Sequence, residues 1–215
     1  MKEKPILFST PMVEAILEHR KTMTRRTAGL EHVNKFPNTW RFDGFDEENI
    51  PAFEAITGDG IYTEFYKTVK PRYQVGDHLW VKETFSFAPL TPETKPFYPD
   101  LSDYVFKAGS DYASVKWKSS LFMPKVATRI WLECTAVRCE QLQSITEADA
   151  IAEGIEKVNV NQPFEGYKEY FIKGFTTGVK PVHSFFSLWM SINGIESLQL
   201  NPWVFVYEFK RIEKP

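Results

Sequence analysis

The chain has little of the residue types that carry metal, redox or disulfide chemistry. Of 215 residues, two are cysteine and four are histidine. Cys134 and Cys139 fall in or near one expected strand, which makes no disulfide framework and fits a reducing cytoplasm. His19, His32, His78 and His183 are scattered, and the cysteines do not form a Cys-x-x-Cys pair, so metal hydrolysis fails its first test. The zinc deaminase pattern is missing too, which argues against removal of an exocyclic amine by zinc hydroxide. A lone histidine such as His78, in a strand, is read as a partly buried packing residue. There is no GxSxG elbow, no GxGxxG and no P-loop. No metal and no organic cofactor is expected.

Charge of one sign is also missing in bulk. A net charge of −2 argues against coating long nucleic acid by counterion release, while leaving room for a local basic mouth. No apolar run is long enough for a signal peptide or a bilayer span. A soluble, cytoplasmic chain without a membrane partner is the expectation.

What is present is a core-forming composition: 43% hydrophobic, 25% charged and 15% aromatic. The length fits one domain over residues 1–215 with insertions. Ile6-Leu7-Phe8 reads as an opening strand. Ser9-Thr10-Pro11 then starts a helix with a hydroxyl cap, Pro11 at its first position, Glu14 in its first turn, and Val13, Ile16 and Leu17 as its buried face. Residues 27–72 show weak periodicity and read as an irregular insertion with one short helix near Pro51–Ile56. Regular structure resumes over Tyr73–Glu83, where the Gly76-Asp77 turn leads into a strand with Leu79 and Val81 alternating, and further strands are expected at Tyr104–Lys107, at Arg129–Arg138 and at Trp203–Phe209. The second insertion, about 84–116, holds a proline-rich loop (Pro89, Pro92, Pro96, Pro99). Trp117–Pro124 reads as a loop at a sheet edge. Thr146, Asp149 and Gly154 mark a short capped helix, and Pro181–Asn193 a longer amphipathic one stopped by Gly194. Many strands, few helices and no βαβ rhythm give an α+β fold, a small twisted barrel or curled sheet with helices on its rim.

The densest chemistry lies in Arg20-Lys21-Thr22-Met23-Thr24-Arg25-Arg26, four cations and two threonines in seven residues. Cations at the end of the first helix also complement its dipole, which accounts for Arg20 and Lys21 but not for Arg25 and Arg26. If the helical turn continues, Lys21 and Thr24 share a face and the amine reaches the hydroxyl. A neutral lysine then makes Thr24 a nucleophile. At its ordinary pKa a lysine is neutral only about one time in a few thousand at pH 7. Neighbouring arginines and burial both push that pKa down. The residues by themselves leave two readings open, an activated lysine and plain phosphate binding, and basic turns more commonly serve the second.

Five collinear blocks carry a resemblance: FSTPMVEAILEHRKTMTRR, GDHLWVKE, SLFMPKVATRI, LQSITEADAIAEGI and LWMSINGIESLQLNPWVFVYEF. Together they make the chain resemble ASCH-domain proteins of the PUA-like superfamily, in the long form common among phage and prophage proteins. The resemblance spans nearly the whole chain, with 27–72 and 84–116 its divergent parts. It implies a small β-barrel with a cleft and a tie to RNA or modified nucleosides. One branch of the family cleaves N4-acetylcytidine to cytidine and acetate with a lysine, a threonine and a glutamate. That branch's R-K-T-x-T motif is matched by Arg20–Thr24, and its T-E-x-x-A-x-x-E pattern by Thr146–Glu153. By resemblance the roles carry onto Lys21 as base, Thr24 as nucleophile and Glu153 as the acid that orients Lys21. Glu153 is also unusual physically, a carboxylate in the last turn of a helix where a cation is preferred. Arg20, Arg26 and Glu83 are further candidates for the cleft, with an edge-strand charge the ordinary alternative for Glu83. Trp80 and Trp117 have the ring area to stack a base, though core packing is the commoner role. The expected partner is a small nucleoside. The alternative is a non-catalytic module binding RNA or a modified nucleoside, with Lys21, Arg25 and Arg26 on phosphate. RNA cleavage with Lys21 as base is a third reading.

Overall fold

Strand pairing organises the chain around five strands that are far apart in sequence. The structure, a computed structural model, describes residues 1–48, 50–57, 60–87, 104–110, 115–159, 165–174 and 178–215. The first segment gives β1 (Glu3–Leu7), α1 (Thr10–Leu17) and β2 (Met23–Arg26). Then come β3 (Trp40–Phe45), β4 (Pro51–Thr57), β5 (Gly60–Thr68), β6 (His78–Lys82), β7 (Phe85–Phe87) and β8 (Tyr104–Phe106). The remainder holds β9 (Trp131–Gln141), α2 (Glu147–Ala152), β10 (Lys157–Asn159) and β11 (Glu165–Tyr167). It closes with α3 (Pro181–Asn193), α4 (Ile195–Gln199) and β12 (Trp203–Ile212). The fold is α+β, mostly sheet, with four helices among the described residues. No sheet closes into a barrel there.

The chain divides into two compact units, each discontinuous in sequence. The first comprises Met1–His19, Gly76–Cys134 and Lys210–Pro215. In it β1 pairs parallel with β6, and β6 pairs antiparallel with the start of β9. Leu79 and Val81 on β6 are wholly buried, as their alternation requires, while Ile130 just before β9 and Trp131 and Leu132 at its start are buried in succession. Ser9 stands at the N-cap of α1 in extended backbone, but its hydroxyl makes no capping bond, and Glu14 falls beyond the first turn. The start of α1 therefore depends on Pro11, whose fixed φ suits a first turn.

The second unit comprises Arg20–Val75 and Thr135–Phe209. Here β12 pairs antiparallel with β2, placing Thr24 opposite Tyr207 and Arg26 opposite Phe205. The hydrogen-bonded strand order is β1-β6-β9-β12-β2. One face of β2 and β12 packs Met23, Val204 and Val206 against Ala150 of α2 and Phe185 and Trp189 of α3. The helix α3 runs over the residues its periodicity predicts, and Gly194 ends it at φ 84°, a conformation open to glycine without a Cβ clash.

The insertion at 27–72 is not irregular. It folds as an antiparallel sheet, β3-β4-β5, and the helix expected near Pro51–Ile56 is the central strand β4. The reason is tertiary. Phe53 is fully buried, its ring 5.9 Å from Phe42 and 5.3 Å edge-on to Trp203, and only an extended β4 delivers it there while pairing on both sides. The proline-rich loop with Pro89, Pro92, Pro96 and Pro99 lies outside the described residues.

Candidate active site

The helical turn expected to align Lys21 with Thr24 does not continue. The helix α1 ends at Leu17, and His19 adopts φ 60°, the left-handed conformation that turns a chain out of a helix. Strand β2 follows. Ladder pairing with β12 outweighs the modest helical preference of a short segment containing two threonines.

Residues 20–22 instead run along the C-terminal end of α2. Arg20 Nη1 donates to the Gly154 carbonyl at 2.7 Å, and Thr22 N donates to the Ala152 carbonyl at 2.9 Å. Between them, Lys21 Nζ donates at 2.8 Å both to the Glu153 carbonyl and to Glu153 Oε2. A helix end has unpaired carbonyls and a partial negative charge, and this basic segment meets both. The dipole that Arg20 and Lys21 serve is thus that of α2, not of α1. Thr146 caps the start of α2 by accepting from Asp149 N at 3.1 Å, and Gly154 at φ 86° ends it, as their spacing predicts.

In β2 successive side chains alternate between faces. Thr24 and Arg26 share a face with Tyr207 and Phe205, while Met23 and Arg25 share the other with Val206. Lys21, Thr24, Arg25 and Glu153 are all buried, at 2%, 2%, 4% and 6% exposure. Charge inside a protein is costly unless paired, so the partners matter. Arg25 Nη1 reaches Glu153 Oε1 at 3.2 Å, and Nη2 reaches Glu140 at 2.6 Å and Asp149 at 2.9 Å. Arg138, half-exposed, binds Asp149 at 3.1 Å and lies 3.5 Å from Glu140 and 3.4 Å from Glu208. Asp149 therefore supplies only its N–H to the cap of α2, and its carboxylate goes to two arginines.

Burial pulls the Lys21 pKa below its ordinary value. Glu153 opposes that shift through charge and hydrogen bond, while Arg26 and Arg25 reinforce it. Lys21 thus feels an arginine from each face of β2. Burial likewise lowers Arg26, against the influence of Glu153, Tyr73 and Tyr207 and with that of Arg72. The Tyr73 and Tyr207 rings meet edge-on at 5.0 Å, and the Tyr207 hydroxyl accepts from Arg72 N at 3.2 Å. A cavity of about 240 Å³ opens beside Tyr73, lined also by Glu48, Pro71, Gln74, Val75 and Val137.

The structure brings Lys21 and Glu153 into direct contact and puts Arg20 one residue along the same helix end. Thr24 and Arg26 lie on the β2 face opposite Arg25. Arg25 and Lys21 are turned inward with side chains 1% exposed, so neither presents its charge to solvent as a phosphate contact would. Glu83 belongs to the first unit, buried at 1%, where Arg129 clasps it with two hydrogen bonds of 2.9 and 2.8 Å. Burial raises the Glu83 pKa, and Arg129 opposes this. The Arg129 guanidinium also lies 4.4 Å from the Phe106 ring and donates to the Ala108 carbonyl. Trp80 and Trp117 are half-buried, and Lys82 Nζ lies 5.6 Å from the Trp80 ring.

Sequence reasoning missed Glu140, Asp149 and Arg138 as charged neighbours of the site. The available signal was Arg138-Cys139-Glu140, opposite charges flanking a residue that turns inward at the end of a strand. Among the described residues, no three His, Cys, Asp or Glu side chains gather as a metal site. No helix among them is long and apolar enough to cross a membrane. No known family model, characterised protein or solved structure matches this chain.

Proposed function

We propose that this chain is a cytoplasmic ASCH-domain amidohydrolase of PUA-like type, cleaving N4-acylated cytosine nucleosides such as N4-acetylcytidine. In this reading the sheet β1-β6-β9-β12-β2 is the PUA-like frame. The observation that carries it is the buried contact of Lys21 Nζ with Glu153 Oε2 at 2.8 Å, in a lysine whose pKa burial lowers. A lysine kept from water and poised toward neutrality is what activation of a hydroxyl requires. Thr24, also buried, lies three residues on in β2.

Thr24 Oγ1 attacks the acyl carbonyl carbon as neutral Lys21 takes the hydroxyl proton. The tetrahedral intermediate collapses with cleavage of the carbon–nitrogen bond, and the Lys21 ammonium returns the proton to the departing exocyclic nitrogen. Water, deprotonated by Lys21, then attacks the Thr24 ester; the bond from the acyl carbon to Thr24 Oγ1 breaks, the Lys21 ammonium returns the proton to Oγ1, and the carboxylic acid leaves. Glu153 holds the lysine in place through each step. Arg26, beside Thr24 on the same face, and Arg20 supply positive charge near the substrate.

The test is chromatography of N4-acetylcytidine incubated with purified protein and chelator, alongside Thr24→Ala, Lys21→Ala and Glu153→Gln. Conversion to cytidine by the wild type, lost in all three variants, supports the reading. No conversion by folded wild type on this or longer acyl chains sinks it and leaves RNA or modified-nucleoside binding in its place.

A further inference from the structure

The two oxygens of Glu153 are divided between two cations. Oε2 meets Lys21 Nζ at 2.8 Å and Oε1 meets Arg25 Nη1 at 3.2 Å. A carboxylate held on one side only can swing about its last torsion, and one held on both sides cannot. Arg25 is itself immobilised. Its Nη2 is bonded to Glu140 on β9 and to Asp149 on α2, its Nη1 lies 3.3 Å from Met23 Sδ, and its guanidinium lies 5.6 Å from the Phe185 ring of α3. These contacts fasten one fork of donors to three secondary-structure elements. The rigid planar fork of a guanidinium meets the three carboxylates from one side chain in a fixed geometry.

We infer that Arg25 is a positioning residue for this site: anchored by Glu140 and Asp149, it clamps Glu153 Oε1 so that Oε2 alone is presented to Lys21. Mere neutralisation of buried acid would be served by any cation. The division of the Glu153 oxygens does something more, keeping Glu153 from embracing Lys21 with both. It limits how strongly Glu153 holds the lysine's proton, while the charges of Arg25 and Arg26 push that proton off. The charged groups facing this pair are therefore Glu140, Arg138, Asp149, Arg26 and, through Arg138, Glu208.

The kinetic arm of the test rests on the proposed amidohydrolase reading, and a spectroscopic arm does not. Arg25→Lys keeps a buried cation but not the fork, and Arg25→Gln removes the charge. With N4-acetylcytidine, kcat falls about tenfold or more in Arg25→Lys while KM stays within about twofold, because the loss lies in the reacting geometry. In both variants the Lys21 titration midpoint, followed by the Cε signal of labelled lysine, moves upward, most in Arg25→Gln. The alkaline limb of kcat/KM moves with it. If folded variants keep the wild-type kcat and the wild-type Lys21 midpoint, the inference is overturned. Loss of the fold in both assigns Arg25 to structure alone and overturns it too. A wild type inactive on N4-acetylcytidine, with the Lys21 midpoint still displaced in the variants, sinks the amidohydrolase reading and leaves the positioning role standing.

Discussion

Lys21 takes two hydrogen-bond acceptors from one residue, the backbone carbonyl and the side-chain Oε2 of Glu153, each at 2.8 Å. Glu153 is the C-cap of α2, so the carbonyl belongs to the negative end of a helix and the carboxylate stands beside it. Two negative groups are thus concentrated on one buried ammonium, and burial still pulls its pKa down.

Removing the two partners is expected to have unequal consequences. Glu153→Ala takes the carboxylate from the buried Lys21 ammonium, leaving it the backbone carbonyl, and deprives Arg25 of one of its carboxylates, at a cost of about 3–5 kcal/mol. Lys21→Met leaves Glu153 still bonded to Arg25 and costs less. Urea unfolding of both variants checks the order, and equal losses would show that the ion pair is not the source.

Stability should respond to pH through Lys21 in a defined direction. Its folded pKa lies below 10.5, so between the two values the unfolded chain binds more protons than the native one. Stability contributed by this group therefore rises as pH rises through that window. In alkaline urea titrations, Lys21→Met is expected to flatten the slope. The same lowering predicts that kcat/KM for amide hydrolysis rises along an alkaline limb below pH 10.5, as neutral lysine accumulates.

Glu83 and Arg129 predict the opposite sign. Burial raises the Glu83 pKa above 4.5, so the native state holds the extra proton and stability falls as pH rises through that window. Arg129→Ala leaves a buried, unpaired carboxylate and is expected to cost about 3 kcal/mol at pH 7. The deficit should shrink on acidification as Glu83 protonates. Glu83→Gln should cost less at pH 7 than Arg129→Ala, and thermal denaturation across pH 4–7 reads both.

The sheet β3-β4-β5 is expected to be held by its aromatic contacts. Phe53→Ala removes a fully buried ring packed on Phe42 and Trp203, and should cost about 3–5 kcal/mol. Amide exchange should quicken in β3 and β4 first. Uniform change across the chain would show that this sheet does not respond as a unit.

Salt separates catalysis from phosphate gripping. Lys21, Arg25 and Glu153 are buried, where screening is weak, and N4-acetylcytidine is neutral, so its hydrolysis should change little between about 50 and 200 mM salt. Binding to RNA through phosphate would instead weaken by orders of magnitude over that range.

The sequence by itself determined the elements whose signals are local. Pro181 and Gly194 bound α3, Thr146 and Gly154 bound α2, and alternation marks Leu79 and Val81 on β6. The family resemblance, rather than any local signal, paired Lys21 with Glu153, 132 residues apart, and their side chains meet at 2.8 Å. Tertiary structure decided what depends on partners distant in the chain. Pairing with β12 made residues 23–26 a strand, and the demand to bury Phe53 beside Trp203 made Pro51–Thr57 another. Arg25 shows the difference most clearly. In sequence it is one cation of four in a basic turn, indistinguishable from Arg26. In the fold, strand alternation sends Arg25 inward to Glu140, Asp149 and Glu153, and Arg26 to the opposite face with Thr24. Composition records a charge, but its partners follow from which face of β2 it occupies, and that face exists only once β12 has paired with it.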